Sequence, residues 1–219
     1  MYPKQYYCGP IMWFSFATNI FTLLIGVFLY LTWCKSTNQK LFNQFILLTS
    51  VSAGIAAFGH LEILPFVWQN SLLVLSRIIN ILAIYSFTSA SITRFTYNEY
   101  SWVKKGNVLL FTAGLSWLLV LNYINPGSKS AFLPVIVYGI VGMVFIGMLS
   151  YILNLKEDFY NYLNVVMGVL LLLVSAVVFK LIPKINGIEP SDISHVLIAF
   201  ALILMTYGVK KNEENEIKK

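Results

Sequence analysis

Seven long, continuously apolar runs recur between residues 11 and 209, and no other feature limits the fold so sharply. A bilayer core about 30 Å thick takes roughly 20 apolar residues of helix at about 1.5 Å per residue. The runs Ile11–Cys34, Asn43–Leu61, Ser71–Thr93, Asn107–Ile124, Ala131–Leu155, Tyr160–Ile182 and Ser191–Val209 meet that length. Between them stand charge or turn chemistry: Lys35 to Lys40, Pro65, Arg94 to Gly106, Asn125-Pro126-Gly127, Lys156-Glu157-Asp158 and Pro183 to Pro190. The runs are unbroken rather than alternating over about ten residues, so helices fit and membrane barrel strands do not. The expected fold is all-α, a polytopic seven-transmembrane-helix bundle. Residues 1–209 form one membrane domain and 210–219 a charged cytoplasmic tail.

Composition closes the alternatives. Only 11% of the 219 residues are charged and 58% are hydrophobic, against about 25% charged in a soluble domain. A water-soluble globule and a disordered chain are both excluded. The net charge of +6 is not a nucleic-acid signal, because the cations sit in short loops and the tail with no basic stripe among aromatics. Their distribution gives orientation instead. Lys35, Lys40, Arg94, Lys104, Lys105, Lys156, Lys210, Lys211, Lys218 and Lys219 lie on one side, Lys4, Lys129 and Lys184 on the other. The N-terminus is therefore expected outside and the C-terminus in the cytoplasm. Residues 1–10 lack the pattern of a cleaved signal peptide. Cys8 and Cys34 flank the first span, which excludes a disulfide between them. Trp13, Trp68, Trp102, Tyr123 and Tyr160 read as interfacial belt. Ala53, Ala57, Gly139 and Gly142 read as close helix contacts. The tail KKNEENEIKK reads as a solvated stub at anionic headgroups.

Ionisable residues inside spans are costly and rare, which makes each a functional candidate. His60 ends span two, Arg77 lies in span three, Lys180 near the end of span six, and Asp192 and His195 open span seven. Topology puts all five in the outer third of the bilayer, with Asn80 and Tyr138 at similar depth. Structural roles exist for each: His60 as a helix cap, Lys180 snorkelling to the interface, Ser191 and Asp192 as N-cap residues after Pro190. A buried Arg77 needs an anion, with Asp192 or Glu62 the nearest. Asp192 and His195 share a helical face. With His60 they offer two nitrogens and a carboxylate, a set that suits a catalytic zinc with one open position for water. Nothing identifies an oxyanion hole for Ser191 or Ser194, and span seven has no interior lysine for a retinal Schiff base.

Seven spans, a histidine late in span two within SVSAGIAAFGH, and one early in span seven within EPSDISHVLIAFALIL together resemble the superfamily of alkaline ceramidases and adiponectin/progestin receptors, including its small bacterial members. The resemblance implies zinc held by the span-two histidine and an HxxxH pair opening span seven. A serine and an aspartate assist the hydrolysis of lipid amides. Carried over residue by residue, His60 and His195 are the metal ligands. Ser191 stands at the first position of the pair, Ala56 where the serine belongs, and Arg77 at the depth of the aspartate. Two functions are open. One is a metal-dependent hydrolase of lipid amides or esters, with His60, His195 and Asp192 as ligands and Arg77 and Asp192 as catalytic groups. The other is a receptor or sensor binding a lipophilic ligand, in which Arg77 pairs with Asp192 or a ligand carboxylate. The expected partner is a membrane lipid or lipophilic small molecule and the expected site a bacterial-type plasma membrane. Transport ranks last, for the inner halves of the spans carry mostly Ser, Thr and Asn.

Overall fold

The structure, a computed structural model, describes residues 11–34, 39–61, 63–95, 101–125, 129–183 and 189–217, and side chains within 14–34, 39–61, 63–95, 101–125, 130–183 and 189–215. Cys8, Glu62 and the Trp13 side chain lie outside them. The order is α1 (Ile11–Thr32), α2 (Lys40–Gly59), α3 (Phe66–Arg94), α4 (Ser101–Ile124), a 3₁₀ turn (Lys129–Phe132), α5 (Leu133–Gly139), a π-helical stretch (Ile140–Met148), α6 (Leu149–Leu153), α7 (Phe159–Leu181) and α8 (Pro190–Ile217). The pieces from the 3₁₀ turn to α6 make one rod. The all-α expectation holds, and seven helices are long and apolar enough to cross a membrane. By length and composition the chain is a multi-pass membrane protein.

The helix limits depart from the apolar limits for physical reasons. α3 begins at Phe66, five residues before its apolar run, because Pro65 fixes φ at −57° at the N-cap. α4 begins at Ser101 and carries Lys104 and Lys105 in its first turns, since a charge near a helix end does not stop the helix. The largest difference is at the C-terminus. The 210–219 segment, read as a separate solvated tail, continues α8 as helix to Ile217. Lys211 Nζ donates to Glu214 Oε2 at 2.7 Å, a spacing that supports helix. Asn212 is buried and donates to Asp158 Oδ2 at 2.7 Å, tying the last turns of α8 to the start of α7.

α1 packs on α2 and on α8, α2 on α3, α3 on the span-five rod, and that rod on α7, which closes the ring against α8. α4 stands outside the ring against α3 and α5. Its buried residues are a single stripe, Asn107, Gly114, Leu118 and Asn122. That apolar seam is bracketed by asparagines: Asn107 accepts from Thr88 Oγ1 at 2.8 Å, and Asn122 accepts from Arg77 Nη1 at 3.0 Å. In the ring, Phe42, Phe45, Phe87, Tyr151, Tyr162 and Phe95 form a chain of packed rings. The π stretch lies close to α3 because it carries glycines. A Cβ at Gly142 would meet Thr88 Cγ2 at 2.9 Å, and one at Gly147 would overlap the Phe87 ring. Gly139 has only ordinary space beside Ile84.

Candidate functional site

The polar residues that matter gather where α1, α2 and α8 meet, at the end of the bundle where α1 and α8 begin. α1 contributes Ser15, Thr18, Asn19 and Thr22. Their spacing of i, i+3, i+4, i+7 puts them on one helical face, while Leu24, Phe28 and Leu31 are exposed. α1 and α8 run parallel in step: Ser15 meets Asp192 and Thr18 meets His195, both pairs 177 residues apart in sequence. Equal rise per residue on the two helices keeps that register.

α8 starts at Pro190, a residue suited to the first helical position because the N–H it lacks has no helical partner there. Ser191 and Asp192, expected as N-caps, are instead inside the first turn. Asp192 caps by reaching back, with Oδ2 accepting from the Glu189 backbone N–H at 3.1 Å. Its Oδ1 accepts from Ser15 Oγ at 2.6 Å, within the range of a charge-assisted bond. Asp192 is 1% exposed. Both of its oxygens are held by neutral donors, and among the described residues it has no cationic partner.

His195 places Nδ1 3.5 Å from Thr18 Oγ1, and its backbone carbonyl accepts from Thr22 Oγ1 at 2.9 Å. One residue earlier, Ser194 and Ser175 share a hydrogen bond of 2.8 Å that ties α8 to α7. Asn19 is fully buried. Its Nδ2 donates to Ser15 O at 2.9 Å, and its Oδ1 has no hydrogen-bond partner among the described residues. His60 caps α2, its backbone N–H bonded to Ala56 O and Ala57 O. His60 is exposed.

Arg77 is buried one helix further round the ring, with Asn122 Oδ1 as its hydrogen-bond partner. The expected pairing with Asp192 is not made, because that carboxylate is engaged by Ser15 and Glu189; Glu62 lies outside the described residues. Lys180 is exposed in the last turn of α7 and forms no ion pair among the described residues. The fold therefore sets Asp192 and His195 against α1, leaves His60 at the C-cap of α2, holds Arg77 on Asn122 and leaves Lys180 at the rim.

Among the described residues no three His, Cys, Asp or Glu side chains converge as metal ligands. His60 and His195 supply two candidate nitrogens. Asp192, the third by spacing, already uses both oxygens. The set as it stands does not fit a three-ligand zinc centre. What it can do is hold charge and hydrogen-bond a ligand. Sequence reasoning missed the α1 stripe and Asn122. The stripe was detectable, since four polar residues at helical spacing on an apolar span mark the face turned to the bundle. Asn122 carried no comparable signal, because its partner Arg77 is 45 positions away in sequence.

No curated protein and no solved structure matches the chain. One family model matches residues 14–214, almost all of the membrane-spanning part, and the chain accordingly belongs to that family, the family of unknown function DUF6962.

Proposed function

We propose that this protein is a receptor or sensor that binds a lipophilic ligand with an anionic headgroup. It lies in a bacterial-type plasma membrane with the N-terminus outside, so that the ligand is taken from the outer leaflet. The Lys and Arg distribution supports that orientation. One observation carries the ligand class. Arg77 is a buried guanidinium, 9% exposed, whose hydrogen-bond partner is the neutral amide oxygen of Asn122. A guanidinium has five N–H donors and cannot shed its charge, and burying it without an anion costs several kcal/mol. A ligand carboxylate or phosphate supplies that anion, while the exposed large apolar side chains around the bundle keep it in contact with lipid.

The test is binding of a fluorescent long-chain carboxylate to the detergent-purified protein, beside the alcohol of equal chain length. Wild type binds the carboxylate at least about tenfold more tightly, the value of one charge-assisted hydrogen bond. Arg77→Gln loses that preference and keeps the affinity for the alcohol. Equal binding of the two by wild type sinks the reading.

A metal-dependent hydrolase of lipid amides or esters is the second reading. The chain's two histidines, at the end of α2 and the start of α8, support it. It requires close to one zinc per chain in protein purified with zinc present, lost in both His60→Ala and His195→Ala.

A further inference from the structure

Asn80 stands at the middle of α3, the fifteenth of its 29 residues, and its amide has no hydrogen-bond partner among the described residues. An amide at that depth has no bulk water to turn to, and leaving it unpaired is costly. At about 100° per residue, Asn80 lies half a turn round the helix from Ser71, which is exposed. It therefore sits on the inner face of α3, away from the exposed side. Its neighbours on that face, one turn to either side, are Ser76, Arg77, Ala83 and Ile84, and all four are buried. Asn80 among them is only half-buried. The inner face of α3 opens at this level.

The polar neighbours do not meet the demand of that amide. Ser76 is engaged by Ser52 Oγ at 2.8 Å, and the Arg77 guanidinium reaches Asn122 Oδ1 on α4. Ala83 and Ile84 are apolar. What remains is a carboxamide with two N–H donors and one carbonyl acceptor, one turn further into the bundle than Arg77. Three residues of helix separate the two Cα atoms by about 4.5 Å along the axis. The Arg77 side chain leaves the helix towards the start of α3, as Cα–Cβ bonds do, which widens that separation. A ligand whose anion meets Arg77 thus meets Asn80 with atoms several bonds further along its chain. In a free fatty acid those atoms are methylenes and give Asn80 nothing. In an acylated headgroup they are the carbonyl that links headgroup to chain.

We propose that the ligand is an anionic acyl lipid of the lysophospholipid type, with its phosphate at Arg77 and its acyl carbonyl accepting from Asn80 Nδ2. This inference rests on the reading of Arg77 given above and adds to it the linkage between headgroup and chain. The charge is then held nearer the start of α3 and the chain runs on towards the middle of the bundle.

The experiment is native mass spectrometry of the detergent-purified full chain, offered oleoyl glycerol phosphate and its oleyl ether at equal concentration. The ether keeps the phosphate and lacks the carbonyl. Wild type holds about fivefold more of the acyl form, the value of one neutral hydrogen bond. Asn80→Ala brings the ratio to about one by weakening the acyl form alone. Its unfolding temperature without lipid stays close to that of wild type, because no hydrogen bond within the protein is lost; a merely structural role would lower it. Asn80→Leu fills the same volume and serves if the alanine variant does not fold. Arg77→Gln weakens both lipids. Equal binding of the two by wild type, or a preference that survives in Asn80→Ala, overturns the assignment of Asn80 and leaves the Arg77 reading in place. Failure of either lipid to bind wild type, or binding unchanged in Arg77→Gln, overturns the Arg77 reading and this one with it.

Discussion

The hydrogen bond between Ser15 and Asp192 is the contact on which the α1–α8 junction turns, and its strength follows from its surroundings. At 2.6 Å it is as short as hydroxyl–carboxylate bonds become, and Asp192 is 1% exposed. Interhelical hydrogen bonds in membrane proteins average only about 0.6 kcal/mol, because polar groups in the unfolded-in-membrane state find other partners. Bonds to a charged group contribute about 1.5–3 kcal/mol. The two figures give different answers for a double-mutant cycle of Ser15→Ala and Asp192→Asn.

If Asp192 is ionised where it stands, Ser15→Ala costs about 2 kcal/mol in wild type, since the carboxylate keeps only the Glu189 N–H. In the Asp192→Asn background the same change costs about 0.5 kcal/mol, the value of an ordinary neutral bond. The coupling between the positions is then about 1.5 kcal/mol. Asp192→Asn alone is nearly neutral, because removing a buried charge offsets the weakened bonds. The cycle is measured by unfolding in mixed micelles. Coupling of about 0.6 kcal/mol or less refutes the reasoning: Asp192 would then be a neutral acceptor, and the anionic character assigned to the junction would be wrong.

Two glycines are expected to respond with opposite sign. Gly147→Ala forces a methyl into the Phe87 ring, which Phe45 and Tyr151 hold in place, and costs about 1–3 kcal/mol; Gly106→Ala meets nothing within 4 Å and stabilises α4 by about 0.5–1 kcal/mol, both read by thermal unfolding. Asn122→Leu leaves the Arg77 guanidinium without its acceptor and costs more than Asn107→Leu, after which Thr88 still bonds Ile84 O. Equal losses from the two would count against a buried charge at Arg77. The Asp158 carboxyl gives a pH dependence. Burial works to raise its pKa, but the amides of Asn161, Asn212 and Asn215 outweigh it and hold the carboxyl below its ordinary value. Its contribution is therefore present above the unfolded value of about 3.9 and lost as pH falls through the lower folded value. Protection factors of the amides in the last turns of α8 should fall below about pH 4 in wild type, and Asp158→Asn should show no such step.

The architecture could be read from the sequence and the details of the site only in part, for reasons that lie in the range of the interactions. A span announces itself locally, through about 20 apolar residues in a row, so seven helices were countable without any knowledge of their packing. The common depth expected of His60, Asp192 and His195 rested on topology alone, because depth in a bilayer is a coordinate that topology supplies. Lateral position is not. Nothing local says that α8 lies on α1, and so Ser15 and Thr18 passed as ordinary polar residues of a first span. The same blindness assigned Arg77 to Asp192, two groups at like depth, when the guanidinium belongs to Asn122 on the peripheral helix. The end of α8 failed differently. Its charged sequence suggested a solvated tail, and only the buried contact of Asn212 with Asp158 shows why helix persists to Ile217.

Asp192 and Arg77 are opposite charges buried within one bundle, and they do not neutralise each other. Each is held by neutral groups of a different neighbour, Ser15 and the Glu189 backbone for the carboxylate, Asn122 for the guanidinium. A direct ion pair would satisfy both, leaving little to attract a ligand. Kept apart, neither has a charged hydrogen-bond partner among the described residues. Such an arrangement is expensive to fold, and burial of apolar surface elsewhere in the ring must offset it. A chain that only needed seven stable helices would fill these positions with leucine. A guanidinium kept apart from the carboxylate is what the proposed anionic headgroup at Arg77 requires.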